Sequence, residues 1–167
     1  MREKLTRSDI RKIEEELEHR KVVIRKEAAA AIAEAAAQGD RSENFEYHAA
    51  KKYRGENESR IRYLERVLKT CIVVSDESAA DEVGMNNSVV VWDEDEETEE
   101  TYRIVTSMRG DMLKNQISIE SPLGKALMGH KTGDHVSVRV SGDYSYEVEI
   151  RRIIKDNDES SDRIRSF

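Results

Sequence analysis

Asp40 and Glu43 are the side chains whose type and spacing most invite chemistry, set in the run Gly39-Asp40-Arg41-Ser42-Glu43-Asn44. Two carboxylates three residues apart in a tight turn converge on one side and could share a Mg²⁺ ion. Such a pair holds the ion poorly by itself, because Mg²⁺ keeps most of its waters and draws further ligands from a phosphate or another protein. A useful site here is therefore a shared one, as for the second ion of two-metal phosphodiester chemistry. The same spacing also describes a helix cap, with the acidic side chains satisfying free amides of the helix that follows. A carboxylate there gains roughly 0.3–1 kcal/mol from the helix dipole, more than a like-charge penalty of roughly 0.2–0.5 kcal/mol. The spacing leaves both readings open. Elsewhere there is no Cys/His metal ladder, no Ser-His-Asp order and no Gly-rich phosphate loop, and the four histidines are scattered.

The turn has to be positioned by the elements on either side. Thr6-x-x-Asp9 opens a helical pattern with apolar residues at Ile10, Ile13, Leu17, Ile24 and Ala31, four of which recur every seven residues, the mark of a coiled-coil seam. Gly39 ends it as a left-handed stop. A second series, Tyr47, Ala50, Arg54, Asn57, Ile61, Leu64 and Leu68, alternates steps of three and four. A reversal near residue 40 sets Leu17 opposite Leu64, Ile24 opposite Asn57 and Ala31 opposite Ala50. The distal end is alanine-rich, which supports a helix by propensity where packing is thin. Roughly 33 residues at ~1.5 Å each make a finger of about 50 Å, a shape for reaching into something. A hairpin used only for association has the same periodicity.

From Ile72 the period changes to two, predicting strands over 88–92, 101–107, 116–120, 135–140 and 144–154. The acidic run 93–100 reads as a solvated hairpin connection. Ser121-Pro122 predicts a short helix with Pro at its first position and Gly129 at its end. The fold class expected is α+β: an antiparallel coiled-coil hairpin over 1–75, a small antiparallel-sheet domain with a short helix over 76–155, and a polar, frayed tail over 156–167.

Composition narrows the function classes. The 167 residues are 38% charged with nine aromatics and one cysteine, Cys71, so one large core, a disulfide scaffold and a membrane span are all excluded. A reducing, cytoplasmic setting is expected, with no apolar leader at the start. The net charge of −7 is uneven: residues 1–75 carry 17 Lys and Arg against 14 Asp and Glu, and residues 76–167 carry 11 against 21. The acidic half argues against direct duplex binding.

Two stretches resemble the bacterial Gre transcript cleavage factors. Residues 32–51, Ile-Ala-Glu-Ala-Ala-Ala-Gln-Gly-Asp-Arg-Ser-Glu-Asn-Phe-Glu-Tyr-His-Ala-Ala-Lys, resemble the family's tip motif, and 117–134, from Ile117-Ser118-Ile119-Glu120-Ser121-Pro122 to Gly133-Asp134, resemble its C-terminal signature. The modest basic surface is similar to the GreA branch more than to GreB. The resemblance implies a monomer with a coiled-coil finger and an FKBP-like domain that docks on RNA polymerase while the finger enters its secondary channel. Asp40 and Glu43 then match the acidic residues that help hold a Mg²⁺ shared with the polymerase active centre. The polymerase, rather than the factor, cleaves backtracked RNA near its 3′ end, so the factor is not itself a nuclease. Glu120, Ser121 and Pro122 match the polymerase-docking segment. Lys51 matches a basic position associated with RNA, and Lys52 extends that patch. Arg41 and Phe45 depart from the usual apolar residue and Ala of the family, and both enlarge the tip.

The alternative within this resemblance is a homologue that occludes the channel and inhibits the polymerase. A prolyl isomerase is disfavoured, since that chemistry wants a deep aromatic pocket. A coiled-coil adaptor without polymerase would lack any use for the docking segment.

Overall fold

The computed structural model describes residues 2–39 and 42–166. It contains two compact units, one of Ile10–Cys71 and one of Glu3–Asp9 with the chain from Ile72 onward.

The first unit is the expected helical hairpin. Helix α1 (Arg7–His19) starts from a reciprocal capping box: Asp9 Oδ2 accepts the Thr6 amide at 3.0 Å and Thr6 Oγ1 accepts the Asp9 amide at 3.2 Å. It runs through a π-helical turn at Arg20–Ile24 into α2 (Arg25–Ala36), and α3 (Phe45–Thr70) returns. The buried seam is Ile13, Leu17, Ala28 and Ala35 on one side and Asn57, Ile61, Leu64 and Val67 on the other. Ala31 and Arg54, both expected in the seam, are exposed.

The π turn explains the displacement. It closes i to i+5 hydrogen bonds, here from the Arg25 amide to the Arg20 carbonyl, and takes up one residue more than an α-helical turn. A spacing that would have continued at 27, 31 and 34 therefore resumes at Ala28, Ile32 and Ala35. Asn57 meets Arg20 rather than Ile24: its Nδ2 donates to the Arg20 carbonyl at 3.2 Å and its Oδ1 accepts from the Arg20 guanidinium at 3.1 Å. Glu16 joins the layer, accepting from Arg20 Nε and from Arg60 Nε, each at 2.9 Å.

In the second unit, β1 (Lys4–Leu5) pairs in parallel with β2 (Ile72–Val73). The main sheet has the order β5-β4-β3-β7-β6, with β3 (Ser88–Asp93), β4 (Thr98–Val105), β5 (Gln116–Ser118), β6 (His135–Arg139) and β7 (Ser145–Ile154). Three of its pairings are antiparallel as expected, while β5 lies parallel to β4. The sheet is therefore mixed, because residues 106–115 cross over through two 3₁₀ turns instead of making a hairpin. The acidic run is a hairpin connection shorter than expected: Glu94–Glu97 turn, with Asp93 Oδ1 accepting the amides of Asp95 and Glu96 and Glu97 at φ 54°, while Asp93 and Thr98–Glu100 belong to the flanking strands. Helix α4 (Pro122–Leu127) covers a core that includes Val89, Val91, Ile104, Leu127, Val138 and Ile150. A Cβ on Gly124 would stand 2.0 Å from the Ser118 carbonyl oxygen, so only glycine lets α4 approach β5 this closely.

Two residues of the polar tail, Glu159 and Asp162, are buried, where polarity predicts solvation. Arg109 is wholly enclosed and ion-paired to Asp9 at 2.5 Å, Asp162 at 2.6 Å and Glu159 at 3.3 Å. Asp162 also accepts from Arg103 at 2.7 Å and from Gln116 at 3.0 Å. Composition predicts solvation for Glu159 and Asp162 because it cannot see a buried guanidinium distant in sequence. Among the described residues no helix is long and apolar enough to cross a membrane.

Candidate functional site

The hairpin turn is built from its own backbone outward. Past α2, the Ala37 amide donates to the Ala33 carbonyl and the Gln38 amide to the Ala35 carbonyl. Gly39 takes φ +137°, a conformation that side chains other than hydrogen resist. Asp40 and Arg41 lie outside the described residues. On the far side, the N-cap of α3 is Asn44, whose Oδ1 accepts the Tyr47 amide at 3.0 Å and whose Nδ2 donates to the Ala35 carbonyl at 2.7 Å. One amide side chain thus caps α3 and ties its start to an end carbonyl of α2.

That arrangement corrects half of the cap reading. Glu43 precedes the cap and is exposed, and the work of capping falls to Asn44. Around it stand Phe45, 88% exposed, and His48, whose ring meets Tyr47 edge-on at 5.7 Å. Lys51 sits one turn along α3 with its ammonium 5.5 Å from the Tyr47 ring centre. Lys52 is exposed, 3.9 Å from Glu56. The turn and the first two turns of α3 therefore present a carboxylate, two lysines and an aromatic side chain to solvent. Among the described residues no group of three or more His, Cys, Asp or Glu could hold a metal ion.

Glu120, Ser121 and Pro122 follow edge strand β5 in the other unit. Ser121 is the N-cap of α4, accepting the Gly124 amide at 3.1 Å and donating to the Ser118 carbonyl at 2.6 Å. Pro122 is exposed at the first helical position, where its missing amide costs nothing. Glu120 faces Lys4 at 3.4 Å and Lys125 at 3.8 Å. Ser121 accordingly holds a structural post besides any docking one. Asn44 is the residue that pattern reading passed over, although an Asn directly before Phe45-Glu46-Tyr47 is as good a cap signal as an acid.

The described residues thus form a helical hairpin whose turn exposes Glu43, and a mixed-sheet unit bearing a capped, Pro-initiated helix. Residues 3–73 match the family described as transcription elongation factor, N-terminal, and residues 72–155 the one described as transcription elongation factor, GreA/GreB, C-terminal. The chain belongs to the GreA/GreB family of transcription elongation factors. It is 47% identical over 137 residues to the GreA of Thermoanaerobacter pseudethanolicus, covering 81% of this chain and 87% of that protein. To the GreA of Lachnoclostridium phytofermentans it is 39% identical over 154 residues, 92% of this chain and 96% of the relative. Among solved structures, the GreA factor homolog 1 (Gfh1) of Thermus thermophilus aligns over 92% of this chain and 98% of its own at 26% identity, with a TM-score of 0.42.

Proposed function

We propose that this elongation factor acts through bacterial RNA polymerase, placing its hairpin turn at the polymerase active centre so that the polymerase cleaves its own backtracked transcript. The observation that carries this reading is the capping of α3 by Asn44, which leaves the exposed Glu43 uncommitted to the fold. Asp40 and Glu43 would hold a Mg²⁺ shared with the polymerase, and the ion, when bound, supplies the activated water that attacks the phosphodiester. Glu43 fits that part as a solvent-facing oxygen donor, and a donor set this small needs the remaining ligands from the partner. Lys51 and Lys52 lie along the helix leading from the turn, where their charge suits the phosphates of the RNA 3′ end. Glu120, Ser121 and Pro122 dock the mixed-sheet unit on the polymerase. The factor works as a monomer in the cytoplasm and is not itself a nuclease.

The test follows release of short 3′ fragments from a backtracked elongation complex carrying 3′-labelled RNA, across a Mg²⁺ titration. Wild type should accelerate cleavage, with Asp40→Ala and Glu43→Ala each at least tenfold slower while still bound to polymerase. Binding of the wild type that slows cleavage or nucleotide addition would replace this reading with a channel-occluding one. Fragment release by the factor without polymerase would make it a nuclease.

A further inference from the structure

Leu113 is 99% exposed and Met112 beside it 74% exposed, although the loop that carries them is fully organised. The chain closes on itself there: the amides of Asp111 and Gln116 donate to each other's carbonyls at 3.0 and 2.9 Å, and Asp111 Oδ1 caps the 3₁₀ turn by accepting the Leu113 amide at 3.1 Å. Asn115 completes the turn in the left-handed region at φ 52°. Two apolar side chains held in water by a loop with its own hydrogen bonds gain nothing for the fold, and an apolar tip already in place loses less entropy on binding.

The same loop borders a cleft of about 300 Å³ lined by Asp111, Lys114, Gln116, Arg163, Arg165 and the buried Arg109. Arg109 is neutralised by its ion pairs, and the Arg165 amide donates to the Met108 carbonyl. Lys114 and Arg163 are exposed, so the cleft presents cations on a half of the chain that carries 21 Asp and Glu against 11 Lys and Arg. Local charge opposite to that of its surroundings selects a partner of the complementary sign. Strand β5 starts at Gln116, just past this loop, and ends at Ser118, just before the Glu120–Pro122 segment, and it is the outermost strand on that side of the sheet.

We infer that Met112, Leu113, Lys114 and Arg163 form a docking surface for an acidic, amphipathic segment of a protein partner, extending along β5 from the Glu120–Pro122 segment. The surface rests on the reading that RNA polymerase is the partner, and it deepens that reading by naming a second contact. A nucleic-acid backbone would satisfy the cations and leave Leu113 in water, so a protein segment with carboxylates beside aliphatic side chains fits better.

The experiment measures binding of core RNA polymerase to the full chain by fluorescence anisotropy, for wild type, Met112→Ser, Leu113→Ser and the double variant Lys114→Glu/Arg163→Glu. Thermal unfolding should be unchanged for Met112→Ser and Leu113→Ser, whose side chains are in water. Leu113→Ser should raise the half-saturation concentration at least tenfold, Met112→Ser less, and the charge reversal should weaken binding and flatten its salt dependence. Affinities equal to wild type would overturn the inference while leaving the polymerase reading intact. A wild type that binds no polymerase overturns both. Two further outcomes would also overturn it: a single-stranded RNA oligonucleotide binding this patch in place of polymerase, or a wild-type dimer in sedimentation that Leu113→Ser dissolves.

Discussion

Asn44 does two jobs with one amide, and its loss should be felt at the turn before anywhere else. Replacing a capping side chain by alanine costs about 1 kcal/mol, and here the bond to the Ala35 carbonyl goes with it. Asn44→Ala should therefore speed amide hydrogen exchange in the first turn of α3 by roughly tenfold. It should also slow transcript cleavage, although both acidic side chains are kept, because the carboxylates are then less well placed. Gly124 is the opposite kind of residue, needed for what it lacks. A methyl group 2.0 Å from the Ser118 carbonyl oxygen cannot be accommodated without moving α4 or β5. Gly124→Ala should cost about 1–3 kcal/mol, within the range for overpacking, as read by chemical denaturation.

At the scale of the helices, the polar layer formed by Glu16, Arg20, Asn57 and Arg60 sets which residues meet across the hairpin. Burial works to raise the Glu16 pKa, but the hydrogen bonds and charges of Arg60 and Arg20 outweigh it and hold the carboxyl below its usual value of 4.5. A depressed folded-state pKa means that ionised Glu16 stabilises the hairpin above the unfolded pKa, and that this contribution is lost as pH falls through the folded value. Glu16→Gln should accordingly weaken the hairpin by roughly 1–3 kcal/mol at pH 7, since Arg60, only 5% exposed, loses its charged partner. The gap between variant and wild type should close as the pH is taken below 4.5. Helical circular dichroism against denaturant at pH 7 and at acid pH reads both.

Across the molecule, Arg109 joins segments distant in sequence: Asp9 of α1, and Glu159 and Asp162 of the tail. The tail lies beyond residue 155, where the match to the family ends. Burial pushes the Glu159 carboxyl up, but the bond from Asn86, the charge of Arg109 and the hydroxyls of Ser8 and Thr6 together bring it below 4.5. Wild type should thus keep this contribution at neutral pH and lose it on acidification below that value. Arg109→Met reverses the sign. Asp162 keeps Arg103, but the buried Glu159 carboxylate loses the Arg109 charge that favours its ionised form, so the variant should lose roughly 3–5 kcal/mol at pH 7 and regain part of it when the pH is lowered toward 5. Thermal unfolding at the two pH values separates the variant from wild type by the direction of the change.

What the chain's own pattern determined is local. The Thr6–Asp9 box, the Gly39 stop and the Pro122 start rest on side chains acting within a few residues of themselves and stand where the sequence predicts them, and the five period-two strands form with their ends shifted by up to three residues. Heptad spacing likewise declared a hairpin, and the acidic turn with its family motif declared what kind of protein carries it. Tertiary structure decided what depends on partners distant along the chain. The π turn that shifts Ala28 and Ala35 into the seam in place of Ala31 is held by Asn57, 37 residues away from Arg20. The parallel placement of β5 follows from a crossover that periodicity does not record. Glu159 and Asp162 read as solvated because they are charged, and they are buried because Arg109 stands 50 and 53 residues upstream to pair with them. Short-range capping and alternation write themselves into sequence, whereas a buried charge is legible only once its counter-charge has been brought beside it.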